Sequence, residues 1–243
     1  MSVLVITGTG TGVGKTVVTA AVAALARDRG ARVAVVKPGQ TGVVAGEVGD
    51  LDDVRRLSLV DDVHEHARFP DPLAPATAAR LSGRPALDVG ASIEAVAALR
   101  ADHDLVVVEG AGGLLVRFDE NGATIADWAS GLDARVLVVA HPSLGTLNHT
   151  ALTLEALAHR GLTLAGVVLG SWPADPDLAS SCNIGDLETL ASRPLSGAIA
   201  EGAGALDPLD FLAAARAGLE PALGGRFDAR DFRLSFDPLE GIA

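Results

Sequence analysis

A glycine-rich segment directly after a short apolar run constrains this chain more than any other feature. Val3 to Ile6 are four apolar residues, three of them β-branched, which indicates a buried strand. Glycines follow at positions 8, 10, 12 and 14, and Lys15 and Thr16 then open an alanine-rich helical segment. The backbone N–H groups of such a loop and the N-terminus of the helix favour an anion. The order strand, loop, helix predicts a nucleoside-triphosphate site, with Lys15 on the terminal phosphates and the Thr16 hydroxyl on Mg²⁺.

The spacing departs from the standard phosphate loop in one place. The pattern G-x4-G-K-[ST] requires glycine at position 9, which is Thr9, and the nearest glycine is Gly8. The alternative is a glycine-rich turn before an ordinary helix, but the strand before the loop and the Gly-Lys-Thr after it stand in the required places. The dinucleotide pattern G-x-G-x-x-G starts at neither Gly8 nor Gly10. The loop therefore favours a triphosphate over NAD.

Composition limits the class of protein. A chain of 243 residues suits one α/β domain, and with 3% aromatic residues its core must be built from Val, Leu, Ile and Ala. No apolar run approaches the roughly 18–20 residues of a membrane span, and the early first strand leaves no room for a signal peptide. The single Cys182 excludes an internal disulfide and a cysteine metal site. We expect a cytoplasmic protein, whose net charge of −12 argues against nonspecific binding to nucleic acid.

Charged side chains stand where predicted strands end. Lys37 follows the strand 33–36, and Glu109 ends the continuous apolar run that begins at Leu105. Asp50 precedes a helix predicted over 51–57. The alternatives are that Lys37 is a surface lysine, that Glu109 only starts a turn, and that Asp50 is only a helix N-cap. Because the carboxyl ends of parallel strands meet at one edge of a sheet, we expect these groups to lie beside the phosphate loop.

Strand and helix patterns alternate along the rest of the chain. This alternation predicts an α/β fold, a single-domain and mostly parallel sheet with helices on both faces, of the P-loop NTPase type. The prolines at 70, 72 and 75 predict a stiff, non-helical wall, and Ser92 is a possible cap for a helix within 87–100. Further helices are predicted over 17–29, 124–130, 183–191 and 207–219, and one ends at Arg160. The predicted domain spans residues 1–223, followed by a tail of unclear structure over 224–243.

Four motifs together resemble the dethiobiotin synthetase family. They are Gly8 to Thr16, then Lys37-Pro38 with Thr41-Gly42, then Glu109 to Gly113, and finally Gly145-Thr146-Leu147-Asn148-His149. The first motif is shared by a wider set of ATPases and amide ligases, whereas the combination is much more specific. The resemblance covers roughly residues 1 to 175.

The resemblance implies a ligase (a cyclo-ligase) of biotin biosynthesis that needs ATP and Mg²⁺. In this family, 7,8-diaminononanoate and CO₂ form a carbamate, ATP converts it to a carbamic-phosphoric anhydride, and the second amine closes the ureido ring. It also implies a homodimer with sites at the interface. From the net charge and the lack of a long apolar run we expect no nucleic-acid and no membrane partner.

The resemblance also implies a role for individual residues. The implied catalytic residues are Lys37, Lys15 and Thr11, and the implied metal ligands are Thr16, Asp50 and Glu109, with Asp52 or Asp53 as substitutes for Asp50. The implied substrate contacts are Thr41, Leu73, Gly145, Thr146, Leu147 and Asn148, the last four reaching the substrate carboxylate of the partner subunit. The implied nucleotide contacts are Gly12, Val13, Gly14, Lys15, Thr16, Val17, Asp50, Glu109, Gly110, Ala111, Gly112, Gly170, Ser171, Ala200, Glu201 and Gly202.

Two departures concern the base of the nucleotide. Gly170 stands where the family commonly has an asparagine that reads adenine, and Ala200 stands where a proline usually flanks the base. We therefore expect weaker discrimination among nucleoside triphosphates than such an asparagine would give.

Two other classes of protein share the loop. A regulatory or partitioning ATPase that acts by partner binding usually carries a further lysine near the start of the loop, and positions 8 to 13 have none. A cobyrinate-type amide ligase normally needs a glutamine-hydrolysing domain with a nucleophilic cysteine. Cys182 lies in Ser-Ser-Cys-Asn with no glycine elbow, which argues against that class.

Overall fold

The apolar runs of the sequence form one seven-stranded sheet in the computed structural model, which describes residues 2–236. Its strands lie side by side in the order β4-β2-β6-β1-β7-β8-β9, and every pair is parallel. A separate parallel pair, β3 and β5, lies beside it. The strands are β1 (Ser2–Gly8), β2 (Val33–Lys37), β3 (Gln40–Thr41), β4 (Val63–Glu65), β5 (Arg68–Phe69), β6 (Leu105–Gly113), β7 (Arg135–Ala140), β8 (Leu164–Trp172) and β9 (Gly197–Ala200).

Nine described helices accompany the sheet. They are α1 (Lys15–Asp28), α2 (Asp50–Ser58), α3 (Pro75–Ser82), α4 (Val89–Leu99), α5 (Ile125–Gly131), α6 (Thr146–His159), α7 (Leu178–Ala191), α8 (Pro208–Gly218) and α9 (Ala229–Ser235). One apolar cluster joins the strands to α1, α2 and α8, and a second joins them to α4, α5, α6 and α7. The predicted mostly parallel sheet, covered on both faces, is confirmed. None of the helices within residues 2–236 combines the length and apolar character needed to cross a membrane.

The burial of their side chains shows that β1 and β6 lie at the centre of the molecule. Val5, Ile6, Val107 and Val108 are all fully buried, as expected of a strand with neighbours on both edges and helices on both faces. Burying each such side chain contributes roughly 1.5–3 kcal/mol relative to leaving it exposed. The sheet is therefore a rigid platform whose carboxyl edge carries the loops described below.

Helix starts are where the structure differs most from the sequence prediction. Pro75 is the first residue of α3, a helix that the sequence analysis did not predict, because a proline at this position gives up an N–H that has no intrahelical partner. Asp50 is the first residue of α2 and not its cap; Gly49 is the N-cap, and Asp52 accepts from the Gly49 N–H at 2.7 Å. Asp88, and not Ser92, caps α4.

Two helices, α7 and α9, also extend beyond the prediction. α7 begins five residues earlier than predicted, because Asp177 accepts from the Ser180 N–H at 2.7 Å and so caps it. Within the stretch predicted as a tail of unclear structure, α9 packs Phe232 and Phe236 against Trp172, each with ring centroids 5.0 Å apart. The boundary of the predicted domain at residue 223 stays a prediction, and residues 237–243 of the predicted tail lie outside the described residues.

Candidate active site

The phosphate loop joins β1 to α1 at the centre of the sheet. The Thr9 N–H donates to the Val139 carbonyl at 2.9 Å, which ties the loop to β7. Gly12 and Gly14 have φ of 75° and 93°, a conformation that residues with a side chain rarely adopt. The Lys15 ammonium donates to the Gly10 carbonyl at 2.9 Å and so closes the loop on itself. Contacts within the chain therefore define the shape of the loop.

Lys37, at the end of β2, lies between two carboxylates. Its ammonium is 2.5 Å from Asp50 Oδ2 and 2.7 Å from Glu109 Oε1, and it also donates to the Gly110 carbonyl at 3.3 Å. The side chains of Lys37 and Glu109 are 4% and 0% exposed, whereas that of Asp50 is 34% exposed. The predicted convergence of these three groups beside the phosphate loop is what the structure shows.

Burial lowers the pKa of Lys37, but the negative charges of Glu109 and Asp50 and the hydrogen bonds that Lys37 donates to both carboxylates outweigh it. The net result is a pKa above the ordinary value, so Lys37 carries its charge at neutral pH. The pKa of Lys15 moves the other way, to about 8, because of burial first and of the nearby Lys37 charge second. The two cations of the site therefore respond differently to alkaline pH.

The oxygen atoms around Lys37 fit a magnesium ion. The Thr16 hydroxyl donates to Glu109 Oε1 at 3.0 Å, and Glu109 Oε2 is buried without a hydrogen-bond partner among the described residues. Mg²⁺ prefers hard oxygen ligands and is commonly held by one or two carboxylates together with substrate phosphates. Thr16, Asp50 and Glu109 supply that donor set, so the residues present suit the ion that the sequence predicts.

These groups face a cleft of about 700 Å³, which we call the main cleft. One side is the phosphate loop, and the opposite side is the proline-containing wall at 72–75, which includes Leu73. Gln40 and Thr41 of β3 form part of the lining. The predicted residues that line it are Thr11, Gly12, Gly14, Lys15, Thr16, Val17, Lys37, Thr41, Asp50, Leu73, Glu109, Ala111 and Gly112.

The remaining predicted nucleotide contacts do not line the main cleft. Val13 and Gly110 are buried beside it, and Ser171, Ala200, Glu201 and Gly202 lie at or just beyond the ends of β8 and β9. The Glu201 N–H donates to the Trp172 carbonyl at 2.7 Å and holds these two ends together.

Gly170 packs directly against the phosphate loop. A Cβ added at Gly170 would lie 2.0 Å from the Val13 carbonyl oxygen, and one added at Gly14 would lie 2.4 Å from the Gly170 carbonyl oxygen. This backbone-to-backbone contact requires glycine on both sides. The structure therefore gives Gly170 a packing role that the sequence analysis did not predict.

Gly145, Thr146, Leu147 and Asn148 form the start of α6 and lie outside the main cleft of their own chain. A shallower cleft of about 400 Å³ lies between α6 and the loop after β6. It is lined by Leu115, His149 and Leu152, and Leu144 is 87% exposed at the nearby turn before α6. These four residues define what we call the α6 surface.

The sequence analysis missed Gln40, which lines the main cleft, and Arg68, which lies next to it beside Gly49. Gln40 is 4% exposed, and its side-chain oxygen accepts from the Asp50 N–H at 3.0 Å. Arg68 pairs with Glu65 at 2.6 and 2.8 Å and donates to the Glu47 carbonyl at 2.7 Å. The one available signal was that Gln40 is the only glutamine of the chain, standing between Lys37 and Thr41.

Comparison with known proteins gives consistent relatives. A family model described as an AAA domain matches residues 2–202. An ATP-dependent dethiobiotin synthetase BioD of Frankia casuarinae is 64% identical, over 98% of this chain and all of that protein. The enzyme of the same name from Streptomyces avermitilis is 58% identical, again over 98% of this chain and all of that protein.

The fold comparison reaches more distant proteins. A ParA family ATPase from Chlorobium tepidum matches with a TM-score of 0.54 at 16% identity, covering 96% of this chain and 98% of that one. The MinD cell division protein of Aquifex aeolicus matches with a TM-score of 0.52 at 14% identity, covering 99% and 97%. At these identities the likeness concerns the fold alone.

Proposed function

The chain belongs to the ATP-dependent dethiobiotin synthetase family, and on that premise we propose how the main cleft closes the ureido ring of dethiobiotin. The protein is an ATP-dependent ligase of biotin biosynthesis, with ATP as co-substrate. The observation that carries the site assignment is the position of the Lys37 ammonium, buried between Asp50 and Glu109 beside the phosphate loop.

The phosphate loop binds the triphosphate of ATP. The N–H groups around Gly12 and Gly14 and the N-terminus of α1 face the phosphates, and Lys15 exchanges its bond to the Gly10 carbonyl for a phosphate oxygen. Thr11 lies in the main cleft within reach of the same anion. Thr16, Asp50 and Glu109 would hold Mg²⁺, which would supply further neutralisation of phosphate charge.

The reaction brings two anions together. One amine of 7,8-diaminononanoate attacks CO₂ to form a carbamate, and a carbamate oxygen takes the γ-phosphoryl group from ATP. The second amine then attacks the carbonyl carbon and expels phosphate, so the products are dethiobiotin, ADP and phosphate. Lys37 would stand between carbamate and γ-phosphate and offset their repulsion, while Thr41 and Leu73 contact the diamine. Positioning and electrostatics do the work, and no covalent enzyme intermediate is required.

A homodimer completes the proposed site. Leu144 and Leu152 of the α6 surface are 87% and 56% exposed, so both side chains are available to pack against a partner subunit. Residues 145–148 lie outside their own main cleft, at the N-terminus of a 14-residue helix. We propose that they receive the substrate carboxylate bound by the partner subunit. We also propose a cytoplasmic location.

Base recognition is the remaining part of the proposal. Gly170 offers no side chain to an adenine, and its contact with Val13 leaves no room for one without a shift of the phosphate loop. We therefore propose that the enzyme accepts other nucleoside triphosphates alongside ATP.

The test is phosphate release that depends on diaminononanoate and bicarbonate together. We expect no more than a trace of release when either is omitted, and dethiobiotin as the organic product by mass spectrometry. Phosphate release that is unchanged by the diamine would reject synthesis and favour an ATPase that acts by partner binding. A Lys37→Ala variant should bind nucleotide but release no phosphate under the complete conditions.

A further inference from the structure

The side chain of Gln40 joins two segments of the main cleft that are ten residues apart. Its oxygen accepts from the Asp50 N–H at 3.0 Å, and its NH₂ group donates to the Thr41 carbonyl at 3.1 Å. One partner is a donor and the other an acceptor, so only one orientation of the amide satisfies both. With 4% of the residue exposed, water does not readily replace these bonds.

The bond to Asp50 satisfies a helix start that has no side chain of its own. Asp50 is the first residue of α2, and its N–H is one of the donors that lack a partner within the helix. The N-cap is Gly49, which has no side chain to offer. A Cβ at Gly49 would lie 2.8 Å from Arg68 Nη2 and 3.2 Å from Gln40 Oε1, so the missing side chain leaves the space that Gln40 uses.

The same short segment fixes Asp50 at a second point. Lys37, three residues before Gln40, contacts the Asp50 carboxylate at 2.5 Å. Asp50 is thus held by its backbone through Gln40 and by its side chain through Lys37. The Asp50 carboxylate is 34% exposed, so burial alone does not define its position.

We propose that Gln40 is a positioning residue, which holds the backbone of Asp50 so that its carboxylate faces Lys37 and the main cleft. The role of that carboxylate as a metal ligand rests on the proposed function, but the positioning of Asp50 does not. Outer partners of metal ligands commonly change metal affinity 10- to 100-fold when removed. Gln40 would act in this way on the magnesium site without touching substrate or metal.

The direct test is amide hydrogen exchange of Asp50 in the enzyme without metal or nucleotide. Gln40→Met keeps the length of the side chain and removes both bonds, and Gln40→Asn keeps the amide but is one methylene too short to span both partners. We expect the Asp50 amide to exchange at least about tenfold faster in both variants. Gln40→Asn decides the question if Gln40→Met does not fold.

The second readout is Mg²⁺ affinity, measured by calorimetry on the complex with ADP. We expect the Kd for Mg²⁺ to rise about tenfold in the Gln40 variants. The matched control is Ser58→Ala, which removes the bond from a buried hydroxyl to the Val54 carbonyl at the far end of α2. This control should leave both readouts at wild-type values.

Two results would overturn the proposal. One is an Asp50 exchange rate and a Mg²⁺ Kd that stay within twofold of wild type in the Gln40 variants. The other is an equal change in Ser58→Ala, which would show general loosening of α2. Failure of the proposed function is seen separately, as wild-type enzyme that releases no diamine-dependent phosphate, and the exchange experiment remains decisive in that case.

Discussion

The buried ion pair of Lys37 and Glu109 predicts an asymmetry between two single substitutions. Lys37→Met leaves Glu109, which is 0% exposed, without its counter-charge. Removing one partner of a buried pair costs about 3–5 kcal/mol of stability, because the remaining charge stays out of water. In a domain of this size that loss lowers the melting temperature by on the order of 10 °C.

Glu109→Gln has a smaller expected effect. Lys37 keeps the Asp50 carboxylate at 2.5 Å, and that carboxylate is in contact with water. The loss is then that of a single charged hydrogen bond, about 2 kcal/mol. In the double variant neither buried charge remains, so we expect it to be more stable than Lys37→Met alone, with a coupling energy of at least about 2 kcal/mol.

The assay is urea denaturation of the four proteins at pH 7 with EDTA, so that no divalent cation takes the place of the ammonium. Unchanged denaturant slopes would show that the comparison concerns stability alone. Strict additivity, with the double variant losing the sum of the two singles, would refute the assignment of Lys37 as the counter-charge of Glu109. Both single variants should also lose diamine-dependent turnover by at least about 100-fold, because both groups belong to the proposed site.

Three further predictions follow from the site. Burial and the Lys37 charge lower the pKa of Lys15 to about 8, and a bound phosphate should restore the charge of Lys15. ATP affinity should therefore fall about tenfold per pH unit above pH 8, and ATP binding should take up a proton. A Kd for ATP that stays constant from pH 7 to 9.5 by calorimetry would contradict this. The kcat/KM values for ATP, CTP and GTP should lie within about tenfold of each other because Gly170 offers no base-reading side chain, and a strong ATP preference would reject the idea. Leu144→Asp on the α6 surface should sediment as a monomer that binds ATP but turns over little diamine. The control is Leu209→Asp on α8, which should stay dimeric although Leu209 is similarly exposed. An unchanged sedimentation coefficient for Leu144→Asp would show that Leu144 is not part of the interface.

Sequence reasoning reached the sheet and the central charges because both depend on simple patterns. Continuous apolar runs such as Val106 to Val108 fill strands that are buried on both faces, and parallel strands bring their carboxyl ends to one edge. Lys37 and Glu109 directly follow such apolar runs in the sequence, so their meeting could be predicted without knowing any distance, although β6 continues past Glu109 to Gly113.

Contacts made by loops and helix ends were beyond the same reasoning. Whether Asp50 or Gly49 caps α2 depends on the backbone direction at the helix start, which differs by one residue between the two cases. Gln40 lies in a strand of two residues, and its partner Asp50 is brought near by a loop without periodicity. For Gly170 the sequence predicted only the absence of a base contact; its close approach to Val13 and Gly14 depends on how β8 packs against the phosphate loop. These features follow from tertiary packing rather than from local sequence preference.

The aromatic residues have a consequence for spectroscopy. The chain has no tyrosine and two tryptophans, so its fluorescence has two sources. Trp128, fully buried, donates to Ser92 at 3.1 Å and packs on Phe118, with ring centroids 5.0 Å apart. Trp172 contacts Phe232 and Phe236 of the C-terminal region. It stands two residues after Gly170, which contacts the phosphate loop. Each indole thus reports a different part of the molecule, and replacing either one with phenylalanine leaves a single-emitter protein in which that part can be followed without an added dye.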